Sequence, residues 1–322
     1  MIKRLGVLFA IVLLGPLAWA APAWGAVQPR TVAIGSATVE YCGNRSLTTA
    51  STQVQTVVVV VHGTNRNACD YASFVETSAT RAGTVATTLI VAPHFYSSSD
   101  PRPSSRLLFW SSTGWKDGAS SLNGGGISSY AVVDSILQRV ADRTRFPNVT
   151  RVVVAGHSAG GWFTNRYAAG SRSTVPTRYV VANPSSYLYF TAQRWKSGAL
   201  RALTKAEVSA CPGYNDYRYG LRELNPYMTA AGDVIQRYGS RMAVYLLGDR
   251  DTDSADPNLD RSCAANWQGA HRFERGQQYH AYLGTVFGTG VYARHTKSVV
   301  PGVAHDGNAM FTSPNGQRAL FG

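Results

Sequence analysis

The sequence predicts an α/β protein: a mostly parallel central sheet, helices on both faces, and a loop-rich cap inserted over one edge. Three observations carry this. Apolar runs of strand length alternate with segments of helical periodicity, the rhythm of a parallel sheet. The clearest run, Thr56-Val57-Val58-Val59-Val60-Val61, is β-branched throughout, as expected of a strand buried on both faces. A Gly-x-Ser-x-Gly turn, Gly156-His157-Ser158-Ala159-Gly160, stands directly between a predicted strand and a predicted helix.

The chain opens with the basic stretch Met1-Ile2-Lys3-Arg4, an apolar run from Leu5 to Leu17, and the small-x-small triplet Ala18-Trp19-Ala20. This is the pattern of a secretory signal peptide over residues 1–20, with a second cut conceivable between Ala23 and Ala26. The run is short for a bilayer span, which argues against an uncleaved anchor. Residues 27–322 read as one domain.

After the valine strand, Asp70 to Gly83 is expected as a helix, capped by Asp70 and stopped by Gly83. Thr88 to Ala92 is the next strand, closed by Pro93, and Ser97 to Gly126 a surface loop rich in Ser, Gly and Pro. Ser128 to Phe146 has Val132, Val133, Ile136, Leu137 and Val140 on one side of a helix. Arg151 to Ala155 is a strand and Gly160 to Ala169 a helix. Arg178 to Ala182, Met242 to Leu247 and Thr296 to Val300 complete the sheet, and Gly307 to Leu320 is a closing helix. The tyrosine-rich stretch of about 183–240 breaks the rhythm and reads as the cap insertion over the carboxyl edge, where open α/β sheets carry their sites. Its aromatic residues, with Trp110, Trp115 and Trp162, either wall a cleft or pack the interior.

The four cysteines follow the predicted cleavage, and an exported chain meets oxidising conditions. Two disulfides are expected, with Cys42–Cys69 and Cys211–Cys263 favoured among the three possible pairings. The protein is secreted or periplasmic on this reading. The formal charge of +13 falls only to +11 when Lys3 and Arg4 are removed. Its basic residues are spread along the sequence with no Lys/Arg cluster or nucleic-acid motif, so a solvated surface accounts for them and no nucleic-acid partner is expected. Asn44-Arg45-Ser46 and Asn148-Val149-Thr150 match glycosylation sequons.

The Gly156–Gly160 turn pushes the Ser158 hydroxyl clear of the sheet, and a following helix N-terminus favours developing negative charge. A serine nucleophile needs an adjacent base oriented by an acid. The acid belongs in the turn after the strand ending Leu246-Leu247, where Asp251 is the choice and Asp249 and Asp253 are its rivals. The same run, with Asp260, has a calcium-loop flavour, but Ser254 stands where the sharp-turn glycine should and Pro257 interrupts it, so no metal is expected. His305, in the loop after the last strand, is the expected base; the other six histidines fall in the wrong order or inside predicted elements. The oxyanion hole would be the N–H of Ala159 and that of Thr64, with Asn65 the alternative to Thr64.

These residues resemble the α/β-hydrolase superfamily over nearly the whole mature chain. Within it, His62-Gly63-Thr64, Asp70-Tyr71, Ser158-Ala159-Gly160-Gly161, Gly248-x-x-Asp251-Thr252 and His305 look like secreted esterases of the feruloyl esterase and polyhydroxyalkanoate depolymerase group. His157 stands where that group often has a less polar residue. The resemblance implies cleavage of a small-molecule or polymeric ester through a Ser-His-Asp triad and an acyl-enzyme, with no cofactor and no stable membrane insertion after signal cleavage. A peptidase or amidase would use the same triad. A catalytically silent secreted binding protein on this scaffold is the reading from another class, which a fluorophosphonate probe of Ser158 separates.

Overall fold

The computed structural model describes residues 25–196 and 198–322. The predicted signal peptide, residues 1–20, lies outside the described residues. Eight strands form the main sheet: β1 (Gln28–Ile34), β2 (Ala37–Gly43), β3 (Thr56–Val61), β4 (Thr88–Pro93), β5 (Arg151–His157), β6 (Arg178–Ala182), β7 (Met242–Gly248) and β8 (His295–Val300). Their order is β1-β2-β4-β3-β5-β6-β7-β8. β2 pairs antiparallel with both β1 and β4, and the rest of the sheet is parallel.

Each central strand is apolar on both sides because both sides are covered. Val57, Val59 and Val61 join the core beneath α2 (Ser129–Val140) and α3 (Ala159–Gly170), while Val58 and Val60 join that beneath α1 (Ala68–Arg81). The predicted strands and helices form, with differences at their margins. α1 begins at Ala68 after Asn67, so Asp70 sits inside its first turn rather than capping it. The β1–β2 hairpin was not expected; its apolar positions are few and small, and its turn rests on Gly35 at φ +59°. α2 ends at Val140 rather than Phe146, because Asp142 Oδ1 accepts from the Thr144 N–H at 2.9 Å and hydroxyl at 2.7 Å, a local turn that competes with helix. The closing helix is two, α6 (Gly307–Thr312) and α7 (Pro314–Phe321), since Pro314 has no N–H to continue the first.

The stretch from 183 to 240 contains a short hairpin, Arg194–Lys196 with Ala199–Arg201, and short helices ending with α4 (Val234–Ser240). It is fastened to α3 by Arg166, a fully buried side chain that donates to the carbonyls of Ser186 and Arg218. Its tyrosines pack rather than wall a cleft. Tyr187 stacks on Tyr279, and Tyr189 lies against Tyr282, both partners on α5 (Arg272–Phe287). Trp110, Trp115 and Trp162 are likewise fully buried. Disulfides join Cys42 to Cys69 and Cys211 to Cys263, the second tying this stretch to the loop that follows β7. The Asn44 sequon is closed to modification: its side chain is buried, donates to Thr88 and accepts from Ile90. Among the described residues no helix is long and apolar enough to cross a membrane.

Candidate active site

β5 delivers its last residue, His157, to the carboxyl edge of the sheet, and Ser158 follows with φ +58° and ψ −119°. A non-glycine residue there costs on the order of 1–3 kcal/mol and persists only where its surroundings hold it. They do so on both sides. The Ser158 N–H donates to the Ala182 carbonyl at 3.0 Å. A Cβ on Gly156 would lie 2.2 Å from the Gly160 carbonyl oxygen, and one on Gly160 would lie 2.1 Å from that of Val61. Glycine at both places lets α3 begin this close to the sheet. Ala159, its first residue, has an N–H that no helical carbonyl satisfies.

Two loops bring partners to this serine. His305 Nε2 lies 2.9 Å from Ser158 Oγ, and His305 Nδ1 lies 2.7 Å from Asp251 Oδ2. A carboxylate only accepts, so a neutral imidazole with its proton on Nδ1 satisfies both contacts. Asp251 is 2% exposed, in the turn after β7. Its rivals are engaged elsewhere. Asp249 Oδ1 accepts from the Gly302 N–H at 2.7 Å and so ties the acid turn to the histidine loop. Asp253 accepts from the Ala255 N–H, and Asp260 from the Tyr219 hydroxyl.

Three further groups surround the relay. Arg272, wholly buried at the start of α5, places Nη1 3.5 Å from Asp251 Oδ1 and 3.1 Å from Asp256 Oδ2. Burial alone would raise the Asp256 carboxyl, but the Arg272 hydrogen bond and the Asn258 N–H outweigh it and hold it below the usual range. His157 lies beneath His305 with ring centres 4.5 Å apart, and its Nδ1 is 3.1 Å from the Tyr71 hydroxyl. Burial, reinforced by the neighbouring His305 and Arg272, drives its pKa well below the ordinary value, so it is a neutral floor. Neither Arg272 nor Asp256 was singled out from the sequence: no spacing relates them to the motif, and only the approach of α5 to the acid turn joins them.

Ser158, His305, Thr64 and Asn65 line one cavity of about 460 Å³, together with Asp256 and Asp306. The Thr64 loop is fixed from behind. His62 Nδ1 donates to the Gly63 carbonyl at 2.9 Å and Nε2 accepts from the Phe95 N–H at 3.0 Å. Arg66, paired with Asp100, donates to the Thr64 carbonyl at 2.8 Å. A larger hollow of about 690 Å³, lined by residues such as Arg30, Asn44 and Phe146, has no histidine in its lining.

The sheet order, the serine turn after β5 and the placement of acid and histidine after β7 and β8 define an α/β-hydrolase fold. No family model matches the sequence, and no curated protein matches it. Solved structures do. Poly(aspartic acid) hydrolase-1 from Sphingomonas sp. KT-1 is 21% identical with a TM-score of 0.64, covering 92% of this chain and 99% of its own. The poly(3-hydroxybutyrate) depolymerase LpqC from Bordetella parapertussis is 25% identical with a TM-score of 0.59, covering 88% of this chain and 86% of its own. The S-formylglutathione hydrolase FrmB from Staphylococcus aureus is 13% identical with a TM-score of 0.50, covering 92% of this chain and 97% of its own.

Proposed function

We propose that the protein is an exported serine hydrolase that cleaves carboxylic esters through Ser158, His305 and Asp251. The observation that carries this is the unbroken run of two hydrogen bonds from Asp251 through His305 to the strained Ser158. His305 Nε2 takes the hydroxyl proton as Ser158 Oγ attacks the ester carbonyl. Asp251 holds the imidazole by its Nδ1–H and stabilises the imidazolium. The N–H groups of Ala159 and Thr64 bind the oxyanion. His305 then protonates the departing alcohol, and water, activated by the same imidazole, releases the acid from Ser158. The 25% identity to LpqC supports an ester, small or polymeric, and the likeness to a hydrolase of poly(aspartic acid), a polyamide, makes an amide the second reading. The two disulfides support export, with residues 1–20 as signal peptide and 27–322 as one domain carrying a cap at about 183–240.

The test is Ser158→Ala assayed with small aryl esters alongside the matching anilides. Ester hydrolysis should fall by at least about 10⁴-fold, and fluorophosphonate labelling should vanish. Undiminished hydrolysis would sink the assignment of Ser158. Wild-type cleavage of anilides at rates matching the esters would instead make the enzyme an amidase.

A further inference from the structure

The parallel strands start at one edge of the sheet and finish at the other, beside Ser158. The finishing edge holds Asp256 and Asp306 around the cavity, and no lysine or arginine lines it. The starting edge is the reverse. Arg178 opens β6, Arg241 and Arg294 directly precede β7 and β8, and Arg172 follows the end of α3. Arg178, Arg294 and Arg318 line a hollow of about 340 Å³ with Met242. Arg172, Arg237 and Arg241 line a second of about 470 Å³, whose one carboxylate, Asp233, caps α4. Arg241 of the second hollow and Met242 of the first are consecutive at the start of β7, so both hollows open at this edge.

Among the described residues none of these six arginines pairs with an Asp or Glu side chain; the arginines that do are Arg66, Arg201, Arg218, Arg222 and Arg272. Arg178 donates to the main-chain oxygens of Ala319 and Gly322, the latter in the same hollow; the others donate to backbone carbonyls such as those of Ala168, Ser171 and Gly239 and to the Asn315 amide, or lie over the Tyr227 ring. Helix ends offset part of their charge at most. Basic residues that are scattered in the sequence are thus gathered by the topology. Of the three large apolar side chains exposed among the described residues, Met242, 50% exposed, lines the first hollow, and Ile235, 37% exposed, lies on α4 between Asp233 and Arg237 of the second.

We propose that the amino edge of the sheet is a peripheral docking face for an anionic phospholipid surface, which leaves the Ser158 edge facing away from it. Guanidinium groups match phosphate oxygens in fixed, bidentate geometry. The two hollows offer three of them each. Apolar side chains among cations are what a headgroup layer accepts, whereas a soluble polyanion gives Met242 and Ile235 nothing to bury against. This inference does not depend on the proposed hydrolysis.

The experiment is co-sedimentation of the full chain with vesicles of phosphatidylcholine and phosphatidylglycerol, or of phosphatidylcholine alone. The variant Arg172→Ser/Arg294→Ser/Arg318→Ser removes the three exposed charges and keeps the half-buried Arg178, Arg237 and Arg241. Residues 1–24 are the same in every sample, so differences read the arginine edge. Wild type should bind the mixed vesicles far more strongly and be released by salt. The serine variant should bind them about a hundredfold more weakly, from roughly fivefold per arginine. The corresponding triple lysine variant should retain binding, which separates charge from folding. Equal binding to both vesicles, or an unaffected serine variant, would overturn the proposal. So would retention by dextran sulfate without vesicle binding, which would assign the edge to a soluble polyanion.

Discussion

Arg272 makes the Asp251 carboxylate tenable in a site where that acid is 2% exposed. Take the guanidinium away and the buried Asp251 carboxylate faces the partly exposed Asp256, each without its arginine. Breaking a buried pair from one side costs about 3–5 kcal/mol. Arg272→Met is therefore expected to lower the urea-unfolding free energy by that amount. It should also cut kcat by about 10²-fold with KM little changed, since a displaced Asp251 misdirects His305 without touching substrate. Arg272→Lys, a point charge in place of a fork, should recover part of both. Asp251→Asn should cost about 10⁴-fold in kcat, because an amide favours the wrong imidazole tautomer. Ser158, Asp251 and His305 were legible in the sequence since each occupies a defined place after a strand. Arg272 was not, because its role arises only where the first turn of α5 meets the acid turn.

At the scale of elements, the crossing of α3 over the sheet admits no side chain. The atom that a Cβ at Gly160 would strike is the Val61 carbonyl oxygen, which belongs to the central strand and cannot swing aside. Gly160→Ala is expected to destabilise the fold by about 1–3 kcal/mol or more, the cost of overpacking. It should also slow fluorophosphonate labelling of Ser158, measured on the folded fraction. The strands of the sheet interior and the glycines of this turn could be read directly, because burial on both faces leaves an unmistakable run of β-branched residues. The β1–β2 hairpin could not: burial alternates from Val32 to Val39 and is continuous only over Tyr41, Cys42 and Gly43, so the apolar signal is too short to stand out. Helix ends failed where a side chain competed with the backbone, at Asp142 and at Pro314. The cysteines concern elements too. Cys211–Cys263 closes a separation of 52 residues, so Cys211→Ser with Cys263→Ser should lower stability by about 4 kcal/mol in the chain-entropy account.

The whole molecule is set against acid. Burial, opposed by the Gly63 hydrogen bond, pushes His62 down to about 3 from 6.5, and burial with a smaller opposing bond from Tyr238 takes His295 to about 4. His157 is driven down in the same direction. A histidine depressed in the folded state binds its proton more readily when unfolded. Stability contributed by its neutral form is therefore complete above 6.5 and is lost as pH falls toward the folded value. Each contributes about 1.4 kcal/mol per pH unit in that window, so three together remove roughly 4 kcal/mol per unit. Carboxylates held low, Asp100 at about 2 among them, add a second loss only below their ordinary range. Against a total of about 5–15 kcal/mol, the first loss alone places acid unfolding near pH 4–5. Urea unfolding at successive pH values checks this: the free energy should fall steadily below 6.5, and His62→Asn should flatten the slope by about a third. A stability that holds level from neutrality down to pH 5 would mean that these histidines take up protons in the folded protein as readily as in the unfolded chain, and would overturn their depression by burial.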